Sequence, residues 1–469
     1  MESTRKKDPL ARITARGFGF RHASRKDAVL ESLSFAIDAG ERVLLLGESG
    51  AGKSTLLMAI AGLLAEDEGT HSGSMQVDGT VGMVLQDPDS QVIASRVGDD
   101  VAFGCENLGM PRERIWEEVP RALEMVGLDL PLDHPTSRLS GGQKQRLALS
   151  GVIAMGADII LLDEPTANLD PEGVREVVAA VTRVAEETGA TVIVVEHRVG
   201  VWSGFATRGI VLGGGGIVAD GTLEEVLAQR GEELVAEGVW VPGIEPVFPP
   251  RPARALDNAA IEFSGLKVGW DTPLGPTRDG RILEGASTVI TGRNGTGKTT
   301  LMLTLAGLLE PVAGKVSYSD SIAGEIGPDP MRWSSAELAR RVGYVFQDPE
   351  HQFVARTVGE ELAVGPRQLG IDAGEQIDAL LARLRLKGLK EANPFTLSGG
   401  QKRRLSVATV LVASPKVVFL DEPTFGQDRG TFIELVTLVR ELNASGVTVV
   451  SVTHDETYVR ALGDEVIAL

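Results

Sequence analysis

The sequence has 469 residues, of which 43% are hydrophobic, and it carries a formal net charge of −19 at pH 7. Its length suggests about two to four globular domains, each large enough to bury a core. The acidic balance argues against sequence-independent binding of nucleic acid and against direct docking on anionic lipid, because both recruit clusters of Lys and Arg.

The N-terminal tail, residues 1–10, is charged and lacks the apolar stretch of a signal peptide. No run of roughly 18 apolar residues occurs, so we expect no membrane-spanning segment, and a role at a membrane would require another subunit. The single cysteine, Cys105, allows no internal disulfide and indicates a reducing compartment. It lies in an apolar stretch, and we expect it to pack in the core.

The first motif, GESGAGKS, follows the apolar run RVLLL and precedes a helical pattern, which is the context that a phosphate-binding loop requires. Its glycines let backbone N–H groups wrap phosphate oxygens, and the helix N-terminus adds partial positive charge. We expect Lys53 to neutralise the β and γ phosphates of ATP and Ser54 to ligate Mg²⁺. The predicted ATP-binding residues of this loop are Gly47, Glu48, Ser49, Gly50, Ala51, Gly52, Lys53, Ser54 and Thr55.

The second motif, QDPDSQ, begins at Gln86 and precedes a segment with apolar residues at helical spacing. This pattern predicts an inserted helical lobe. Pro120 interrupts the pattern, so we expect a kink or a break there. The apolar residues of the pattern are Ile115, Val119, Ala122, Leu123 and Val126.

LSGGQ, at the start of the next helical pattern, offers a serine, two glycines and a helix N-terminus. The predicted ATP contacts there are Ser140, Gly141, Gly142 and Gln143, which form a second phosphate-binding device. One site does not need two such devices on one domain, so we expect each LSGGQ to face the phosphate loop of another domain.

A buried strand then ends in Asp163 and Glu164. A carboxylate at a strand tip can hold Mg²⁺, usually through water, and the next residue can reach the attacking water as general base. His197 closes a later β-rich run and is a candidate γ-phosphate contact. The predicted catalytic residues are Glu164, His197 and Gln86, and the predicted Mg²⁺ ligands are Ser54, Gln86 and Asp163.

All of these motifs recur in the same order, which indicates duplication of a whole domain. We predict an N-terminal tail at 1–10, domains at 11–240 and 259–469, and a Pro-rich, extended linker at 241–258. The second copy's predicted ATP contacts are Gly292, Arg293, Asn294, Gly295, Thr296, Gly297, Lys298, Thr299, Thr300, Ser398, Gly399, Gly400 and Gln401. Its predicted catalytic residues are Glu422, His454 and Gln347, and its predicted Mg²⁺ ligands are Thr299, Gln347 and Asp421. The remaining histidines lack ligand spacing, so we predict no transition metal.

Both copies resemble the ATP-binding-cassette ATPases. The resemblance implies an α/β fold, with two tandem P-loop domains that each combine a mainly parallel sheet, an inserted helical lobe and an antiparallel β portion. It also implies a head-to-tail sandwich, in which each ATP lies between one copy's phosphate loop and the other copy's LSGGQ. The family stacks adenine on an upstream aromatic residue, a position that Trp270 occupies in the second copy and His22 in the first. Asp170 and Asp428 resemble the family's acidic loop between the two sites.

QDPDSQVIASRVGDDVAFGCENLGMPRE resembles the ATPase subunits of energy-coupling-factor transporters, and QDPEHQFVARTVGEELAVGPRQLG is a looser copy. This resemblance implies an importer of a vitamin or metal ion, at the cytoplasmic face of a membrane. Its partners would be a transmembrane coupling subunit, which meets the region around Gln91 and Gln352, and a small membrane protein that captures the solute.

Two other functions remain open. A twin-cassette sugar importer ATPase would carry the same motifs. A soluble ribosome-associated twin cassette would typically have a long charged helical linker and basic tails, whereas this chain is acidic and its linker is short and Pro-rich. DNA-repair cassettes need long coiled-coil insertions, and the sequence shows none.

Overall fold

The computed structural model describes residues 12–23, 27–65, 67–167, 169–248, 257–270, 272–293, 295–424 and 426–469. The predicted N-terminal tail, Asn294 and residues 249–256 of the predicted linker lie outside these ranges. The chain divides into two compact units, here called the first and second halves. The first half runs to Glu245 and includes Asp428–Gly430, and the second consists of Pro246–Gln427 and Thr431–Leu469.

The described part of the first half contains two sheets. Its strands are β1 (Arg12–His22), β2 (Leu30–Ile37), β3 (Arg42–Leu46), β4 (Gly69–Asp78), β5 (Val81–Val84), β6 (Ile159–Asp163), β7 (Thr191–Val195), β8 (Arg208–Gly213) and β9 (Gly216–Thr222). The larger sheet has the order β5-β6-β7-β3-β8-β9 and is parallel except for β9. The smaller sheet, β2-β1-β4, is antiparallel.

The parallel sheet of the first half lies between two apolar cores, which explains its continuous apolar runs. Along β3, Leu44 and Leu46 pack in the core that also contains the helical lobe, and Val43 and Leu45 pack in the core shared with the antiparallel sheet. Because successive side chains of a strand point to opposite faces, a strand buried on both sides must be apolar at every position. The predicted combination of parallel and antiparallel sheets is confirmed.

The helices of the first half are α1 (Lys53–Ile60), α2 (Val97–Asn107), α3 (Arg112–Met125), α4 (Gly141–Ala154), α5 (Pro171–Thr188), α6 (Val199–Trp202) and α7 (Leu223–Ala236). Helices α2 and α3 form the predicted lobe, and Cys105 is buried in it. Of the kink or break expected at Pro120, the break is wrong, because α3 continues through that residue. The buried stripe of Ile115, Val119 and Leu123 holds the helix against the core despite the missing N–H of the proline.

The second half repeats this architecture. Its strands are β10 (Ala259–Gly269), β11 (Pro273–Leu283), β12 (Ser287–Thr291), β13 (Ala313–Tyr318), β14 (Val342–Val345), β15 (Val417–Asp421), β16 (Thr448–Val452) and β17 (Glu465–Ala468). They form a parallel sheet of order β14-β15-β16-β12-β17 and an antiparallel sheet of order β11-β10-β13. Its helices are α8 (Lys298–Leu305), α9 (Asp320–Ala323), α10 (Ser335–Ala339), α11 (Val358–Leu369), α12 (Gly374–Arg383), α13 (Gly399–Leu411), α14 (Arg429–Ala444) and α15 (Glu456–Leu462).

The order of the parallel strands brings the predicted site residues together. Gly47, Glu164 and His197 follow the strands β3, β6 and β7, which are neighbours in one sheet. The carboxyl ends of parallel strands meet at one edge, where open α/β sheets bind their ligands. In the described ranges, no helix has the length and apolar character needed to cross a bilayer.

Candidate functional site

In each phosphate loop, the backbone surrounds the lysine of the motif. Lys53 Nζ donates to the carbonyl oxygens of Gly47, at 2.8 Å, and Glu48, at 2.9 Å. Lys298 Nζ makes the equivalent bonds to Gly292, at 2.9 Å, and Arg293, at 3.0 Å. Burial lowers the pKa of Lys53, although the nearby carboxylates oppose that shift. Both lysines are therefore held within the loop by its own carbonyls, as a cradle for phosphate requires.

Two glycines of the first loop cannot be replaced by larger residues without strain. Gly47 has φ 136°, and a Cβ there would lie 2.2 Å from the carbonyl oxygen of Leu212. Gly52 has φ 94°, and its Cβ would lie 2.7 Å from Leu30 Cδ2. A side chain would thus meet neighbouring strands as well as an unfavourable backbone conformation. The loop needs glycine at both positions for its shape.

Two of the three predicted Mg²⁺ ligands are adjacent in each half. The Ser54 hydroxyl is hydrogen-bonded to Asp163, and Thr299 Oγ1 lies 3.4 Å from Asp421 Oδ1. Burial raises the pKa of both aspartates. Hydroxyl and carboxylate oxygens are hard ligands of the kind that Mg²⁺ takes in phosphoryl-transfer sites. The donor set therefore fits the ion that the sequence predicted.

The candidate general bases occupy strained backbone positions. Glu164 has φ 46° and Glu422 has φ 44°, in the left-handed region that non-glycine residues seldom adopt. Each backbone N–H donates, at 2.9 Å, to the last residue of the next strand, Val195 or Val452. Such strain persists only where the surrounding structure enforces it, and it concentrates at functional sites. This backbone conformation turns both carboxylates away from the direction of the preceding strand.

The two histidines contact these carboxylates. His197 Nε2 lies 3.0 Å from Glu164 Oε1, and His454 Nε2 lies 3.3 Å from Glu422 Oε1. Only 7% of the Glu422 surface is exposed, and burial raises the pKa of its carboxyl to about 7. The structure thus brings each predicted base together with the predicted histidine of the same half.

The two loop glutamines differ. Gln86 Nε2 donates to Glu164 Oε2 at 2.7 Å, so the first half joins its glutamine, base and histidine directly. In the second half, Gln347 is linked through its backbone, because its carbonyl oxygen accepts a hydrogen bond from Arg403. The near-identical motifs gave no reason to expect this difference.

The LSGGQ helices begin with reciprocal caps. Gln143 N–H donates to Ser140 Oγ at 3.3 Å, and Ser140 N–H donates back to Gln143 Oε1 at 2.9 Å. Ser398 and Gln401 make the same pair of bonds, at 3.4 and 3.0 Å. These capping boxes fix the start of α4 and α13 and leave other N–H groups of the first turn directed outward. Each half therefore carries a capped helix start, a feature of the kind that can bind an anion.

The residues at the predicted adenine positions have different surroundings. Trp270 follows β10 and is 71% exposed, so its indole faces can receive a planar base. His22 ends β1, and its ring meets Phe20 edge-on with centroids 4.8 Å apart. The first half thus offers a smaller and partly engaged ring at this position.

The side chains of Gln91 and Gln352 hydrogen-bond to nearby backbone groups of their own halves. Gln91 Oε1 accepts from Leu85 N–H at 2.8 Å, and its Nε2 donates to Leu85 O at 3.0 Å. Gln352 Oε1 accepts from Phe346 N–H at 3.0 Å. Their neighbours Ile93 and Val354, by contrast, are 62% and 75% exposed. The amides shape the loop, and the apolar neighbours face outward.

Sequence reasoning missed a matched ion pair near LSGGQ. Lys144 contacts Asp89 in the first half, and Lys402 contacts Glu350 in the second. Each pair connects the signature helix to the segment after the loop glutamine. The signal was present, because both copies carry a lysine after LSGGQ and an acid in QDPD or QDPE.

Sequence reasoning also missed three buried residues that occur in one half only. Tyr344 donates its hydroxyl to Asp421 Oδ2 at 3.3 Å, and Met83 occupies the matching position of the first half. Glu196 contacts the Thr166 hydroxyl and accepts the His197 N–H at 2.8 Å, where the second half has Thr453. Arg403, matched by Gln145, is the third. Single-letter differences between aligned repeats were the available signal.

Comparison with known proteins agrees with this geometry. A family model described as ABC transporter matches residues 30–167 and 279–425. A Bacillus subtilis (strain 168) protein with the provisional name HMP/thiamine import ATP-binding protein YkoD is 35% identical over 97% of this chain and 89% of its own length. A Methanosarcina mazei protein, provisionally named an ABC transporter ATP-binding protein, is 31% identical over 100% of this chain and 89% of its own. The archaeal ribosome recycling factor aABCE1, in a crystal with ribosomal stalk protein aP1, shares the fold, with a TM-score of 0.66 at 21% identity, over 96% of this chain and 87% of that one.

Proposed function

The chain belongs to the ABC transporter family of ATPases, and from that premise we propose that it is the ATP-hydrolysing subunit of an energy-coupling-factor importer. The observation that carries the proposal is that both halves contain the residues predicted for the phosphate loop, the Mg²⁺ site, the base and the histidine, with each predicted base in contact with its histidine. The relative provisionally named HMP/thiamine import ATP-binding protein YkoD, which matches 97% of this chain, supports uptake as the direction. A vitamin of the thiamine type is the first solute to test, and a metal ion is the second.

Each ATP would lie between the phosphate loop of one half and the LSGGQ helix of the other. Lys53 and Lys298 would turn their ammonium groups from the loop carbonyls to the β and γ phosphates. The capped starts of α4 and α13 would meet the γ-phosphate of the opposite site with free N–H groups. This arrangement gives each capped helix end an anion to bind.

Hydrolysis would proceed by general-base catalysis. Glu164 and Glu422 would accept a proton from the attacking water, while His197 and His454 hold the carboxylates and reach the γ-phosphate. Ser54, Asp163, Thr299 and Asp421 would hold Mg²⁺, which supplies charge neutralisation on the phosphates when bound. The strained backbone at both glutamates fixes their carboxylates before the nucleotide arrives.

The helical lobes would transmit the cycle of ATP binding and hydrolysis to the membrane partner. Ile93 and Val354 occupy matching positions after the loop glutamines and are the exposed apolar residues there. Buried apolar contact is the main favourable term of most protein association, so these residues suit a coupling subunit better than Gln91 and Gln352 do. The protein would therefore work at the cytoplasmic face, held there by its partners.

Purification of the tagged full chain from its native cells in mild detergent tests the proposal. We expect a polytopic membrane protein and a small membrane protein to copurify with the chain. The I93E/V354E variant should lose both, while E187Q, a change on the exposed side of α5, should keep them. Ribosomal proteins without a membrane partner would contradict the transport proposal and leave the ATPase assignment intact.

A further inference from the structure

Arg403 is a buried cation in the second half that the first half does not share. It lies in α13, five residues after the signature serine Ser398, and is 2% exposed. Gln145 is the matching residue of α4 and is 1% exposed. Because a neutral amide fills the same buried position in one half, the fold itself does not require a guanidinium there.

The guanidinium bridges two loops of the candidate site. Arg403 Nη1 donates to Phe346 O at 2.8 Å, and Nη2 donates to Gln347 O at 2.6 Å and to Glu422 O at 3.2 Å. Phe346 and Gln347 belong to the glutamine loop, and Glu422 is the candidate base. One planar group thus fixes three backbone carbonyls, a geometry that the rigid donor fork of arginine suits.

The Arg403 guanidinium, which forms this bridge, keeps its positive charge. Burial lowers the pKa of Arg403 to about 10, which still leaves the group protonated at neutral pH, and Asp421, Asp348 and Glu422 oppose the shift. Burying a cation is costly unless hydrogen bonds and opposite charges compensate. In the second half, the buried guanidinium lies where it links the glutamine loop to the base.

The first half joins the same two loops in another way. Gln86 Nε2 reaches Glu164 Oε2 directly, at 2.7 Å. Gln145 Nε2 donates to Leu85 O at 3.1 Å, and its Oε1 accepts from Gln91. Gln145 therefore supports the glutamine loop, while the side chain of Gln86 makes the connection to the base.

We propose that Arg403 is a positioning residue for ATP hydrolysis in the second half, where it fixes Gln347 relative to Glu422. The direct bond from Gln86 to Glu164 performs this task in the first half. The inference rests on the proposed role of Glu422 as general base. Arg403 is buried and bonds to backbone carbonyls of the protein, so its loss should lower turnover without weakening substrate binding.

The test compares R403Q with R404Q in the otherwise unchanged full chain. R403Q introduces the residue that the first half carries. R404Q removes a neighbouring charge whose partner is Glu434, at 3.2 Å, and leaves the loop contacts in place. Steady-state phosphate release gives kcat and KM for MgATP, and thermal melting followed by circular dichroism checks the fold.

We expect R403Q to lower the kcat of the second half by roughly tenfold, because hydrogen bonds from a charged donor are lost, and to leave KM within about twofold. Total kcat should fall most of the way to the value of E422Q, and R403Q should add nothing to E422Q. R404Q should keep the wild-type kcat. Equal kcat in R403Q and R404Q, or a rise in KM at unchanged kcat, would overturn the inference.

R403K covers the case in which R403Q does not fold. A lysine keeps the charge but cannot span three carbonyls, so its kcat should also fall at unchanged KM, and a wild-type kcat in R403K would overturn the proposal. The E422Q variant distinguishes an error in the assignment of the base from an error in the role of Arg403. If E422Q keeps full turnover, the assignment of the base is wrong. If E422Q lowers turnover and R403Q does not, only the role of Arg403 is wrong.

Discussion

The two halves share one fold and one set of motifs, yet different residues contact the candidate site residues in each half. In the first half, Gln86 bonds directly to Glu164, and Glu196 ties Thr166 to the His197 backbone. In the second half, Arg403 and Tyr344 take up the supporting roles. Duplication has kept the phosphate-loop lysines, the strand-end acids and the histidines, and has changed the residues behind them. Motif identity therefore does not imply that the two halves turn over ATP equally.

The largest expected effect comes from the bases themselves. Changing both Glu164 and Glu422 to Gln should keep ATP binding and lower phosphate release by roughly 10²- to 10⁴-fold, because general-base catalysis is lost. Nucleotide binding and phosphate release are measured on the same preparation. E164Q and E422Q alone then report the share of each half. Near-normal release from the double variant would contradict both assignments.

The adenine positions should show a smaller difference between the halves. W270A should weaken ATP binding in the second half by about tenfold, because stacking of a base on an aromatic ring is worth roughly 1–3 kcal/mol. W270F should restore most of the affinity. H22A should have less effect, since the His22 ring already packs against Phe20. Titration with a fluorescent ATP analogue checks all three, and equal losses in W270A and H22A would remove this distinction.

Glu196 should matter for stability in the first half. E196T installs the second half's residue and should cost about 1–3 kcal/mol, because buried hydrogen-bonding groups lose their partner. Chemical denaturation of the full chain gives the free energy of unfolding. E187T, at an exposed position, should change it by less than about 0.5 kcal/mol. If E196T matched E187T, the link from Thr166 to His197 would carry no stability.

The smallest expected effect concerns Tyr344. Y344F removes the hydroxyl that donates to Asp421 Oδ2 at 3.3 Å, at a cost of about 1 kcal/mol in unfolding free energy. M83L, the matched change in the first half, breaks no hydrogen bond of this kind and should cost less than Y344F. A larger cost for M83L would show that packing at this strand position outweighs the hydrogen bond.

Much of the fold could be predicted because the local signals were strong. The apolar run at residues 42–46 forms β3, and the helical pattern around Ile115 and Val119 is a buried stripe of α3. Pro120 does not break its helix, since tertiary packing compensates for one missing hydrogen bond. Helices α1, α4 and α5 begin directly after Gly52, Ser140 and Asp170, three positions that the motifs had singled out.

The motif residues of the site could be predicted from the sequence, whereas the residues that hydrogen-bond to them could not. Glu164 and His197 come together as the repeat suggested, because neighbouring parallel strands carry them. Nothing local in LSGGQKRR showed that Arg403 would reach three carbonyls from two other loops. Such contacts depend on tertiary packing, which a motif does not encode. Comparing the repeats letter by letter would have identified the position but not its partners.

Counting the ATP molecules bound to each chain tests the central claim most directly. The E164Q/E422Q variant of the full chain is incubated with MgATP and examined by native mass spectrometry. The account predicts two ATP molecules per chain, and the loss of one from either K53A or K298A added to that variant. One ATP per chain at saturating nucleotide, or an unchanged count after either lysine is removed, would contradict it.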